Sequence, residues 1–208
     1  MPPSTSECKC GESATGAAAG SVAACPACPP TAASACSLGA ACAIADADPA
    51  HPLPFTIRPA TAADATLLHR LVAELAAYES LSHELESTPA AHAEHLFGPR
   101  PRAAALLAFV RGFVPVGFAV WYPTYSTFAG RPGAFLEDLY VRPGFRRHGI
   151  GRALLEASAA AALADGCSRL EWRALKWNTP ALDFYKSTGA EPLSEWVTLR
   201  RELTASRQ

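Results

Sequence analysis

The stretch Glu137–Leu155, "EDLYVRPGFRRHGIGRALL", changes character twice within a few residues. Leu136, Leu139 and Val141 surround two acids and read as the end of a half-buried strand. Pro143-Gly144 turns the chain. Arg146, Arg147, His148, Gly149, Ile150, Gly151 and Arg152 then lead into an Ala- and Leu-rich segment that reads as a helix to about Ala164, stopped at Asp165-Gly166. The first turn of a helix carries backbone N–H groups without intrahelical acceptors and a partial positive charge. A basic loop with glycines entering such a turn makes an anion site. The spacing R-x-x-G-x-G is neither the G-x-x-x-x-G-K-[ST] of a nucleoside triphosphatase nor the G-x-G-x-x-G of a dinucleotide enzyme.

Working outward, the C-terminal side holds a strand at Ser168–Leu175. It is followed by "WNTPALDFYKSTGA", a short helix with Asn178 as N-cap, Pro180 early and Gly189 as stop. A last strand pair is expected over Glu191–Leu203. On the N-terminal side Phe55–Arg58 alternates like a strand. Thr61 and Asp64 stand at capping-box spacing before Leu67, Leu68, Leu71, Val72 and Leu75, a helical apolar face running to about Tyr78. A second helix is expected from Thr88-Pro89 to Phe97-Gly98. A hairpin follows over Ala103–Pro123, with its turn near Arg111-Gly112. A further turn at Gly130–Gly133 precedes the strand Ala134–Val141. Helices interleaved with strands in this order predict an α/β domain on a mixed, largely antiparallel sheet flanked by helices.

The first 53 residues differ in composition. Met1–Ala50 has no Phe, Trp, Tyr or Arg, and it holds Cys8, Cys10, Cys25, Cys28, Cys36 and Cys42, six of the chain's seven cysteines. Such a segment lacks the large apolar side chains needed to offset ordering entropy, which predicts a low-complexity, disordered tail over 1–53 and a folded domain over 54–204. The "CKC" and "CPAC" spacings suit thiolate metal binding, but nothing fixes their geometry, so no metal is expected. Cysteines confined to the tail do not make a disulfide scaffold, and a reducing, cytoplasmic compartment fits. The net charge of -1 over 208 residues gives no footprint for nucleic acid or an anionic membrane, and no apolar run approaches the roughly 20 residues of a bilayer span.

The loop "VRPGFRRHGIG" and the segment containing Asn178, Ala181, Tyr185 and Gly189 together resemble the GNAT N-acetyltransferases. "FTIRPATAADATLLHRLVAELAAYES", "FLEDLYV" and "WNTPALDFYKSTGA" are similar to the diamine (spermidine/spermine) branch of that family. "LEWRALKWN" and "EWVTLRREL" look closer to its plant-type members, which act on ornithine-like diamines. The resemblance spans Phe55–Glu202 and implies a GNAT fold, acetyl-CoA as co-substrate, a small-molecule amine as acceptor and a homodimer.

Carried over residue by residue, the resemblance implies that Leu139, Tyr140 and Val141 offer strand backbone to the pantetheine arm. Arg146 to Arg152 wrap the pyrophosphate, with His148 a loop residue rather than a base. Asn178, Thr179, Pro180 and Ala181 touch the cofactor further along. Tyr185 is the acid, Glu137 the carboxylate that receives the amine proton, Tyr78 and Glu79 the amine-binding pair, and Glu171, Trp172 and Arg173 line the substrate side. The chemistry asks for these types. An alkylamine is protonated at neutral pH and must lose a proton before attack, and the leaving thiolate must gain one. Of the neighbours Glu137 and Asp138, strand alternation admits one to the site, and the resemblance selects Glu137. Cys167 follows a helix stop, away from both motifs, which disfavours an acyl-cysteine route. Ser126 and Phe128 stand where the polyamine enzymes carry an acid and a tryptophan, which favours a shorter diamine or a diamino acid whose carboxylate Arg173 could meet. A protein lysine or N-terminus as acceptor, or a non-catalytic CoA-binding module, are the alternative readings.

Overall fold

The computed structural model describes residues 53–203. The tail readings, including the "CKC" and "CPAC" pairs, lie outside the described residues. Strand β1 (Phe55–Pro59) leads through the Thr61–Asp64 turn into helix α1 (Ala65–Tyr78), and α2 (Pro89–Phe97) follows. Strands β2 (Ala104–Val110), β3 (Val114–Ser126) and β4 (Arg131–Val141) form a meander. Helix α3 (Ile150–Ala164), strand β5 (Leu170–Trp172) and helix α4 (Thr179–Ser187) complete the regular elements. The sheet order is β1-β2-β3-β4-β5, antiparallel except for the parallel β4–β5 pair.

The capping box forms as the spacing predicts. Asp64 accepts from the Thr61 amide and hydroxyl, both at 2.8 Å, and from the Arg58 guanidinium at 2.7 and 2.8 Å. The Arg58 hydrogen bonds hold its carboxyl well below the usual range, against the opposing effect of burial. This network ties the end of β1 to the start of α1.

Two apolar layers sandwich the sheet. On one face α1 presents Leu68 and Leu71, fully buried, to Leu107, Phe109, Phe118 and Tyr140. On the other α3 presents Ile150, Leu154 and Leu155 to Val116, Ala119, Trp121, Ala134 and Leu136. Each such leucine contributes about 1.5–3 kcal/mol by leaving water. Cys167 lies in the second layer as a buried free thiol. Among the described residues no helix is long and apolar enough to cross a membrane.

Two expectations change. Strand β5 covers only Leu170–Trp172 of the anticipated Ser168–Leu175, because β4 bulges where β5 would continue alongside it. Glu191–Leu203 forms no strand pair. These residues have strand-like composition, but they make no ladder bonds within the described chain.

Candidate active site

Strands β4 and β5 pair only between Ala134–Leu136 and Leu170–Trp172. From Glu137 to Val141, β4 has a strand neighbour on the β3 side alone. Beside Leu139–Val141 the sheet therefore has a cleft beyond the end of β5, at whose far end Arg146 donates to the Val141 carbonyl at 2.9 Å.

The origin of the cleft is a bulge. The β3–β4 register passes from Val120↔Asp138 to Trp121↔Leu136, leaving Glu137 unpaired. An extra residue flips the alternation of side chains. Leu136 and Leu139 both pack in the α3 layer although they are three apart. Glu137 and Asp138 consequently both fall on the other face, that of α1. The expectation that only one of them faces the site is corrected: the rule of two fails at a bulge.

Glu79, at the C-cap of α1, reaches the same region. Burial raises its carboxyl pKa. Asp138 is pushed up to about 7, first by burial and then by the nearby charges of Glu137 and Glu79. Tyr185, on α4, is pushed up to about 12 by burial and by the charges of Glu79 and Asp138. Its ring is packed between Trp172 of β5, centroids 5.0 Å apart, and Phe184 at 5.2 Å. Three carboxyl groups and a neutral phenol thus lie near one another beside the C-terminal half of β4. Glu137 stands at the rim, where Arg173 approaches it to 3.8 Å and caps the Phe135 ring at 5.3 Å. Glu171 is held by Arg169 at 2.8 Å.

The loop Arg142–Gly149 descends from β4 to α3. Arg142 clamps its start by donating to Glu74 at 2.8 and 2.6 Å and to the Pro115 carbonyl at 2.7 Å. Arg147 and Gly149 take positive φ, 68° and 81°. That left-handed backbone suits glycine at the helix N-cap. Among the described residues, the successive amides from Arg147 to Arg152 donate to no backbone carbonyl. With the exposed Arg147 they form a cationic cradle fit for a pyrophosphate. Gly117 lets the strands close nearby, since a Cβ there would stand 2.5 Å from the Tyr140 carbonyl oxygen.

Other loop residues take structural positions. Arg146 turns inward, donating from Nε to the Val141 carbonyl at 2.9 Å and lying 4.3 Å over the Tyr78 ring. Arg152 ties α3 to α4 through the Ser187 carbonyl at 3.1 Å and Oγ at 3.0 Å. Asn178 caps α4, accepting from the Ala181 amide at 3.4 Å and from the Tyr78 hydroxyl at 3.3 Å. Tyr78 also packs near Trp177, centroids 6.1 Å apart. Tyr78 is thus a brace between the loop and α4, while Glu79 beside it lies with Asp138 and Tyr185. Sequence reasoning set Asp138 aside and did not single out Trp177 or the Glu74–Arg142 clamp. The three-residue step from Leu136 to Leu139 was the signal for Asp138.

A strand splayed from its neighbour, an amide-lined basic turn at a helix mouth and a buried tyrosine beside carboxylates define an acyl-CoA-dependent transferase. The acetyltransferase (GNAT) family matches residues 68–190, and this chain belongs to it. It is an N-acetyltransferase with acetyl-CoA as its donor. It is similar to the thialysine N-epsilon-acetyltransferase of Mus musculus, with 36% identity over 73% of this chain and 95% of that one. It is also similar to the L-ornithine N5-acetyltransferase of Arabidopsis thaliana, with 28% identity over 69% of this chain and 82% of that one. In structure it is similar to an aminoglycoside N-acetyltransferase in complex with CoA, with TM-score 0.59 and 21% identity over 72% of this chain and 96% of the other, which shows the fold. The residues present fit the cofactor: the free amides from Arg147 to Arg152 suit the pyrophosphate, and the one-sided β4 backbone suits the pantetheine arm. Among the described residues no group of His, Cys, Asp and Glu could hold a metal ion.

Proposed function

We propose that this chain acetylates a primary amine of a small diamine or diamino acid of ornithine or putrescine size. The observation that carries the reading is the placement of Glu79, Glu137 and Asp138 on one side of Tyr185. The three carboxylates attract a cationic substrate, and Asp138, whose proton affinity burial and the neighbouring charges raise, is suited to accept its proton. The names of the similar thialysine and ornithine enzymes support the same acceptor class.

Acetyl-CoA supplies the activated acetyl group. Glu79 and Asp138 draw the substrate's ammonium groups into the cleft. Asp138 takes the proton of the reacting amine, with Glu137 beside it open to water at the rim. The amine nitrogen attacks the thioester carbonyl, the C–N bond forms and the C–S bond breaks. As the C–S bond breaks, Tyr185, a neutral phenol at physiological pH because burial pushes it up to about 12, gives its proton to the departing sulfur, and the second proton lost by the acylated nitrogen restores the phenol. Arg173 at the rim suits the carboxylate of a diamino acid. Confinement of six cysteines to the first 53 residues supports a reducing, cytoplasmic setting.

The test is release of free CoA from acetyl-CoA with L-ornithine, L-lysine, putrescine, spermidine and a lysine-bearing peptide. Turnover with the small diamines or diamino acids supports the reading. Turnover with the peptide alone refutes it.

A further inference from the structure

The register of β3 and β4 divides the site into two poles. Asp138 pairs with Val120, and Phe135 pairs with Tyr122. Tyr122 follows Trp121, which packs in the α3 layer, so Tyr122 and Phe135 stand on the α1 face with Glu137 and Asp138. Neighbouring charges then separate these groups. Tyr185 feels Glu79 and Asp138, and this inner pole holds carboxyl groups only. Tyr122 feels a different pair. Burial raises its phenol, the charge of Glu137 raises it further, and Arg173 lowers it. The outer pole therefore brings together a carboxylate, a guanidinium and a phenol hydroxyl.

The two charges of the outer pole are open to a ligand. The side chains of Arg173 and Glu137 are 49% and 45% exposed, and they approach no closer than 3.8 Å. At that distance no hydrogen bond forms, so the guanidinium keeps its donors for other oxygens. Glu171 does not take them, because Arg169 holds it at 2.8 Å. Arg173 is nevertheless placed. It lies 5.3 Å over the Phe135 ring, which packs on Tyr122 with centroids 5.4 Å apart. An aromatic floor fixes the guanidinium by its face and leaves its N–H edge outward.

A plain diamine would bring a second ammonium, which Glu137 attracts and Arg173 repels. A diamino acid brings an α-ammonium and an α-carboxylate on one carbon, and the outer pole offers an opposite charge to each. We propose that Tyr122, Glu137 and Arg173 form a receptor for the α-amino-acid head of the acceptor, so that the enzyme prefers a diamino acid to the matching diamine and acetylates the nitrogen far from the carboxylate. The inference rests on the acetyl-transfer reading above and narrows it. Arg173 grips both carboxylate oxygens, the Tyr122 hydroxyl donates to one of them, and Glu137 accepts from the α-ammonium. The head stays at the rim with its nitrogen protonated, and the side-chain amine reaches inward to Asp138 and Tyr185.

The test compares kcat/KM for L-ornithine with that for putrescine, which is ornithine without its carboxylate. The unaltered enzyme should favour L-ornithine by about tenfold or more, and the ratio should fall by about the same factor in Arg173→Gln. Arg173→Lys should restore part of it, since a point charge replaces a fork. Tyr122→Phe should lower it less. Retained CoA binding shows that each variant is folded. Mass spectrometry of the ornithine product should place the acetyl group on the side-chain nitrogen. A ratio of one or below in the unaltered enzyme, a ratio unmoved by Arg173→Gln, or an acetyl group on the α-nitrogen would each overturn the proposal and leave the acetyl-transfer reading standing. Absence of turnover with any small amine would remove both.

Discussion

The rings of Tyr185 and Trp172 lie 5.0 Å apart and tilted by 45°, so the last strand of the sheet fixes the phenol of α4 at the mouth of the β4–β5 cleft. Packing holds the ring while the hydroxyl is left to chemistry. Tyr185→Phe keeps the packing and removes the proton. It should lower kcat by about 10²-fold or more, with KM for acetyl-CoA nearly unchanged and the melting temperature preserved. Steady-state kinetics with both substrates varied check this, and a matching loss of CoA affinity would make the tyrosine structural.

The carboxylate pair predicts a pH signature. Asp138, with a folded-state pKa of about 7, should set the acidic limb of kcat at saturating amine, activity rising through that value. Glu137→Gln removes a like charge and should move the limb to lower pH, while Asp138→Asn should abolish it.

The same shift predicts stability. The native state binds the Asp138 proton more tightly than the unfolded chain, whose carboxyl titrates near ~3.9. Its contribution is fully present below that value and is lost as pH rises through about 7. Asp64 has the opposite sign, since Arg58 and Thr61 lower its pKa: its contribution is present above about 4 and is lost on acidification. Asp64→Asn should cost about 1–2 kcal/mol at neutral pH, the modest figure reflecting the half-exposed Arg58 partner. Urea titrations of both variants at a series of pH values would show the two trends.

Gly149 holds a φ of 81° at the entrance of α3. Gly149→Ala should cost about 1–2 kcal/mol in stability. By tilting the amides from Arg147 to Arg152 it should also raise KM for acetyl-CoA more than it lowers kcat. Equal effects on both constants would separate the loop from cofactor binding.

Much of this architecture is legible in local chemistry. Thr61 and Asp64 cap as their spacing predicts, Gly149 marks the mouth of α3, and Asn178 caps α4. These features depend on residues close in sequence. The bulge at Glu137 depends on how β4 meets β3, and applying strict alternation placed Asp138 on the wrong face. The inward turn of Arg146 onto Tyr78 joins residues far apart in the chain, and no local pattern encodes it. Glu191–Leu203 reads as strand by composition, yet among the described residues it makes no ladder bonds.

The central claim is that Glu79, Glu137 and Asp138 select a small amine by its charge. It is tested most directly by comparing kcat/KM for putrescine with that for butylamine, which has the same carbon chain and one amine fewer. Putrescine should be favoured by about tenfold or more, and the preference should shrink in Glu79→Gln. Equal rates for the two amines, or a preference untouched by Glu79→Gln, would contradict it.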